Sequence, residues 1–194
     1  MSNEAKQAGE FIKSKLYWLS EKANEAEARA TLAKLRRGIG KAPGCLPELW
    51  DITLNGLPEG MFSNDDVPSY GEWAVHTAMT LYAMHQQGKD IKKQCMDKEG
   101  EYFGSVVRKL VKNDEDEQRV KRRFDAAATS SSIEEFSHHL RGLVQMLKSK
   151  DLPLDYSKLT EDLYWFQIPA MRDSIRLRWG QDYYRVRRNE LSYE

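Results

Sequence analysis

The chain is predicted to be all-α, a helical bundle of about eight to nine helices folded as one body or as two lobes. Three observations predict it. Apolar residues recur at helical spacing along most of the 194 residues, and no stretch alternates with the period of two that a half-buried strand needs. Residues suited to helix starts and stops fall between the periodic segments. Apolar residues make up 40% and charged residues 31%, which is enough for a core and too polar for a membrane protein. A chain of this length can bury a core without metal or disulfide staples.

The first predicted helix runs near 4–20. It opens with MSNEAKQAGE, which has neither a basic n-region nor a small-residue cleavage site, so no secretion signal is expected. The next spans 24–38, with Leu32 and Leu35 as its buried seam, Lys34 and Arg37 outward and Arg36 beside the seam. Gly38 follows it where a left-handed residue is wanted. From Ile39 to Pro68 lie four of the six prolines and several glycines, so this stretch reads as loop with a short helix near 47–54. A loop of that length is a candidate functional segment.

The helix at 69–87 opens on Ser69 with Glu72, at capping-box spacing, and is followed by Gly88. Trp73, Val75, Met79, Leu81, Tyr82 and Met84 point nearly all round it, which marks a central, buried helix. At 101–113, Phe103, Val106, Val107 and Leu110 form one face and leave Arg108, Lys109 and Lys112 exposed. At 115–129 the seam is Val120, Phe124 and Ala127, with Arg122 outward and Arg123 on its edge. Ser132 with Glu135 repeats the capping-box spacing at the start of 132–149. There Ile133, Phe136, Leu140, Leu143, Val144 and Leu147 share a stripe opposite His138, Arg141, Gln145 and Lys148. Helices at 156–167 and 171–188 follow, with breaks at Pro153 and Pro169. Met171, Ile175, Trp179 and Val186 form the stripe of the last one, flanked by Arg176 and Arg187 on one side and Arg178 and Arg185 on the other.

Motifs of catalysis do not occur. There is no GxxxxGK[ST] loop, no GxGxxG turn after a strand, no HExxH and no GxSxG elbow. His138 and His139 are adjacent and diverge by about 100° on a helix, and His76 and His85 are also out of phase, so a metal site is not expected. His139 reads as a core-edge residue. The acidic run Asp114 to Glu117 and the pairs Glu134–Glu135 and Glu161–Asp162 read as helix-end electrostatics. No cofactor is implied. Cys45 and Cys95 lack CxxC spacing and are expected as reduced thiols of a cytoplasmic protein.

Lysine plus arginine equals aspartate plus glutamate at 30 each, so a general attraction to nucleic acid is excluded and any binding depends on charge placement. The charges are segregated. Arg29 to Lys41 holds five basic residues and no acid, and Arg172 to Arg188 holds six arginines against Asp173 and Asp182. Arginines beside an apolar seam either lay their stems over it or grip a phosphate backbone, and both readings stay open here. Tyr183, Tyr184 and Trp179 are suited to base stacking, but at helical spacing they read more readily as core.

Several segments together resemble the CasB family, the small subunit of type I-E CRISPR Cascade complexes. They are KLRRG (Lys34 to Gly38), PELW (Pro47 to Trp50), LYAMHQQG (Leu81 to Gly88), RRFDAAAT (Arg122 to Thr129), HHLRGLVQML (His138 to Leu147), LPLDYSKLTEDLYWFQ (Leu152 to Gln167) and RLRWGQDYY (Arg176 to Tyr184). No segment of 1–28 or of 55–68 matches. The resemblance therefore divides the chain into a variable N-terminal helical extension, 1–28, and a helical small-subunit domain, 29–194.

The resemblance implies an antiviral DNA- and RNA-binding subunit with no enzymatic activity. Its implied partners are the other Cascade subunits, a second copy of itself, and the backbones of guide RNA and target DNA, with no membrane. Arg36, Arg37, Arg108, Lys109, Arg122, Arg123, Arg141, Arg176 and Arg178 are carried over as backbone contacts. Lys112 and Arg185 are added on periodicity alone. Two other readings compete: a helical scaffold or adaptor whose arginines meet protein acids, and a helical enzyme with an unrecognised site. A steep loss of affinity with salt separates phosphate contacts from the scaffold.

Overall fold

The computed structural model describes the backbone of residues 3–191 and side chains through Arg185. The helices are α1 (Glu4–Tyr17), α2 (Glu25–Arg37), α3 (Trp50–Thr53), α4 (Tyr70–His85), α5 (Phe103–Arg108), α6 (Asp114–Thr129), α7 (Ile133–Ser149), α8 (Tyr156–Phe166) and α9 (Pro169–Leu191). A π-turn at Trp18–Lys22 continues α1, and 3₁₀ turns occupy Pro47–Leu49 and Glu59–Met61. No strand is present among the described residues, only an isolated bridge between Asp97 and Leu154. None of the described helices is long and apolar enough to cross a membrane.

Helix α4 is the axis. Every residue from Ala74 to His85 is buried, as its all-round apolar pattern predicts. Helices α1, α2, α7 and α8 pack against it, α5 lies along α9, and α6 lies along α7. A single contiguous hydrophobic cluster joins them, so the fold has one core rather than two lobes. Residues of the 1–28 extension take part: Ala8, Ile12, Leu16 and Leu19 are buried in that cluster. Trp179 is the aromatic junction, stacked on Phe136 at 5.1 Å and on Phe166 at 5.8 Å and meeting Phe103 edge-on at 5.2 Å. Trp179 and Tyr183 are thus core residues, while Tyr184 is exposed.

Helix starts follow the chemistry in the sequence. Ser69 accepts the Glu72 N–H at 3.0 Å and Glu72 accepts the Ser69 N–H at 2.7 Å, a complete capping box. At α7 only half of the box forms. Ser132 accepts the Glu135 N–H at 3.2 Å, but Glu135 reaches one residue further back, to the Ser131 N–H at 2.7 Å. Asn24, Asn113 and Asp155 cap α2, α6 and α8.

Two ends differ from expectation. Gly38 is not left-handed: its φ is −80°, and φ turns positive only at Gly40, at 75°. What Gly38 provides is closeness. A Cβ there would lie 2.7 Å from the Leu49 side chain and 2.9 Å from Thr80, and its carbonyl meets the His76 ring at 3.1 Å. Gly88 is left-handed as predicted, with φ 84°. Helix α5 stops at Arg108, five residues short of the predicted end, because the chain turns back there through Lys109, Leu110 and Val111.

Candidate nucleic-acid interface

Burying Val120, Phe124 and Ala127 of α6 against the stripe of α7 leaves Arg122 and Arg123 on the open side of the pair. The polar face of α7 meets them there. Arg122, Arg123, His138, His139, Arg141 and Gln145 line a furrow of about 360 Å³, with Ala126 and Gly142 between them. No acid lines it. A Cβ on Gly142 would sit 3.1 Å from the Arg123 guanidinium, so the glycine leaves room for that side chain beside α7. Arg122, Arg123 and Arg141 are exposed and have no hydrogen bond or ion pair among the described residues. His138 and His139 meet ring to ring at 5.4 Å. Arg141 and His138 also line a second hollow of about 150 Å³, together with Lys41, Trp73 and the acid Glu134.

The other predicted contact residues are placed differently. Arg108 is 9% exposed, not on the surface as expected: its guanidinium lies over the Tyr183 ring at 5.9 Å, where the early end of α5 tucks it under α9. Arg176 donates from Nε to the Ala128 carbonyl at 2.5 Å and from Nη2 to the Ser130 carbonyl at 3.1 Å, closing the C-terminal end of α6, and it also pairs with Asp173 at 3.0 Å. Arg178 pairs with Asp162 of α8. Lys109 pairs with Glu101 at 2.5 Å, Arg37 with Glu48 at 3.1 Å and Arg185 with Asp182 at 3.7 Å. Lys112 is exposed, away from the furrow. Arg36 is half-buried in a different cleft of about 640 Å³ against the 86–93 segment. Burial, with the charges of Lys89 and Arg36, lowers the pKa of Lys148. Arg187 lies outside the residues whose side chains are described, as does Val186.

Asp162 corrects one sequence reading. It is not a helix-end carboxylate but a buried one, accepting the Trp179 indole N–H at 2.6 Å as well as Arg178. Burial pushes its pKa up to about 6 against the pull of Arg178 and that N–H. Its position at the α8–α9 crossing depends on helix packing that the spacing of residues does not carry. His138 and Gln145 were legible as polar-face residues but not as furrow walls, since this required knowing that α6 lies alongside α7. Among the described residues, no group of three or more His, Cys, Asp or Glu is arranged to hold a metal ion. The buried histidines serve the fold: His85 Nδ1 meets the Tyr156 hydroxyl at 3.0 Å, and burial depresses the His85 pKa to about 4.

Comparison with known proteins agrees with this architecture. The model of the family CRISPR-associated protein Cse2 matches residues 31–184, which include the whole α6–α7 furrow. The crystal structure of CasB from Thermobifida fusca superposes with a TM-score of 0.75 at 29% identity, covering 91% of this chain and 97% of that one. The crystal structure of M. ruber CasB gives 0.70 at 18% identity, over 95% of this chain and 98% of that one. A chain of a CRISPR RNA-guided surveillance complex gives 0.70 at 20% identity, over 98% of this chain and 99% of that one. Comparison with curated proteins returns no match. With the family model running from the middle of α2 through most of α9, the chain belongs to the CRISPR-associated protein Cse2 family, the CasB family that its segments resemble.

Proposed function

We propose that the chain is a subunit of an RNA-guided CRISPR surveillance complex of the Cascade type and that its α6–α7 furrow holds nucleic-acid backbone there. The observation that carries the reading is the furrow itself: Arg122, Arg123 and Arg141 side by side, without acids between them and without protein partners among the described residues. Unpaired guanidinium groups are suited to phosphate oxygens, and each contact made releases counterions. Such contacts position a strand and leave sequence to base pairing with the guide. The chain has no reaction of its own in this reading. Guide RNA, target DNA, the other subunits and a second copy are its partners, in the cytoplasm where Cys45 and Cys95 stay reduced.

In this reading the predicted contact residues are ranked by the protein partners each one has. Arg122, Arg123 and Arg141, extended by Lys41, form the primary surface. Arg36, Arg37, Lys109, Lys112 and Arg185 are secondary, since each is paired or lies elsewhere. Arg108, Arg176 and Arg178 act within the fold. The test is reconstitution of the complex with wild-type chain or with an Arg122→Ala/Arg123→Ala/Arg141→Ala variant. The variant is expected to enter the complex normally and to weaken target-DNA binding by about tenfold or more, at roughly 1 kcal/mol or less per exposed contact. Undiminished DNA binding by that complex would contradict the assignment.

A further inference from the structure

The segment 55–68, which matched nothing in the sequence, presents a surface of different character from the furrow. Phe62, Val67 and Tyr70 are 41%, 67% and 47% exposed. They line one hollow of about 400 Å³ together with Met61, Asp65, Glu4 and Tyr164, whose hydroxyl donates to the Glu4 carboxylate. No lysine or arginine lines it, and the segment carries Glu59, Asp65 and Asp66 without a basic residue. Single exposed apolar side chains are ordinary, but three around one hollow mark an interaction site.

The segment is held in this shape by its own polar groups. Ser69 Oγ donates to the Met61 carbonyl at 2.5 Å, the single Ser63 hydroxyl proton is shared between the Val67 carbonyl at 2.5 Å and the Asp65 carboxylate at 2.9 Å, and Asp65 accepts the Val67 N–H at 2.9 Å. Below it, Met61 is buried against Gly71, where a Cβ would come within 2.9 Å. Gln167 ties Tyr70 to the end of α8 through its carbonyl at 2.9 Å. The Val67 N–H and the Ser63 hydroxyl hold the Asp65 carboxyl below its usual pKa, so it stays charged at neutral pH.

We infer that Phe62, Val67 and Tyr70 form a docking surface for a protein partner that presents an apolar side chain ringed by lysine or arginine. The exposed carboxylates of the segment, Glu59, Asp65 and Asp66, repel a phosphate backbone and attract a basic protein surface, while the aromatic side chains supply the desolvated centre that carries most of an interface's energy. The inference rests on the subunit reading, and the partner is a neighbouring protein of the complex. The face therefore divides the work of the molecule: the furrow takes nucleic acid and this hollow takes protein.

The full-length chain is co-expressed with the remaining protein subunits and guide RNA, and its retention is measured by size-exclusion chromatography. The chain is wild type, Phe62→Ser/Tyr70→Ser, or Glu59→Lys/Asp66→Lys. The charge-reversed pair is exposed and keeps the test valid if the aromatic pair fails to fold. Both variants are expected to lose retention by about tenfold or more, the loss that goes with an interface anchor, while the isolated chains bind DNA as wild type does. Wild-type retention of both overturns the proposal. So does loss of DNA binding by the isolated variants, which would give the surface to nucleic acid. A wild-type dimer in sedimentation that either variant makes monomeric would give it to a second copy instead, and also overturns it. A wild-type chain that never enters the complex contradicts the subunit reading and takes the docking inference with it, whereas retention lost only in the variants bears on the docking surface alone.

Discussion

The carboxylate of Asp162 is 3% exposed and accepts from both Arg178 and Trp179, so it joins the charge of α9 to the aromatic junction of the core. Removing it strands the Arg178 cation at the α8–α9 crossing. Asp162→Ala is expected to lower stability by about 2–3 kcal/mol in urea unfolding, below the fully buried range because Arg178 reaches water. Arg176→Ala removes donors from the Ala128 and Ser130 carbonyls and should cost about 1–2 kcal/mol by the same measurement. His85 gives a pH dependence. Its folded pKa of about 4 lies below the ordinary histidine value of 6.5, so an unfolded chain takes up a proton that the folded one refuses. Its stabilising contribution is present above pH 6.5 and is lost as the pH falls from there toward 4. Unfolding measured between those limits should show a smaller stability loss for His85→Gln than for wild type, and parallel curves would contradict this. At this scale the sequence was only partly readable. The flanking arginines of α9 were visible from periodicity, but their acceptors, Asp162, Ala128 and Ser130, lie 16, 48 and 46 residues away.

Helix identity followed from local pattern, because capping residues and apolar stripes act within a few residues of themselves. Helix contacts did not. Gly104 shows why: a Cβ there would lie 2.1 Å from the Trp179 carbonyl and 3.0 Å from Asp182, so α5 and α9 touch backbone to backbone. Neither neighbour is a flexible side-chain end. Gly104→Ala is expected to destabilise by about 3 kcal/mol or more, whereas Gly38→Ala, which meets the side chains of Leu49 and Thr80, should cost about 1–2 kcal/mol. Equal thermal shifts for the two would argue against backbone contact as the cause. The shortening of α5 has the same origin in tertiary packing. A helical pattern through residue 113 was present, but turning the chain at Lys109 lets Arg108 reach the Tyr183 ring and brings α6 round to α7.

Across the molecule, a formal net charge of zero coexists with a furrow lined by arginine and histidine and with a segment at 55–68 that carries three acids and no lysine or arginine. Segregation along the sequence permits a basic surface on a neutral chain, and the basic stretches it marks are those of α2 and α9 rather than of α6 and α7. Folding decides between them, since pairing takes up Arg37, Arg176, Arg178 and Arg185 and leaves Arg122, Arg123 and Arg141 without a partner among the described residues. The dependence of target-DNA affinity on salt tests that division most directly, for complexes carrying wild-type chain, the Arg122/Arg123/Arg141 alanine variant, or an Arg176→Ala/Arg178→Ala variant. The furrow variant should flatten the log–log slope by about one unit for each phosphate contact removed, while the α9 variant keeps the wild-type slope and loses only thermal stability. A furrow variant with the wild-type slope, or an α9 variant that flattens it instead, would contradict the account.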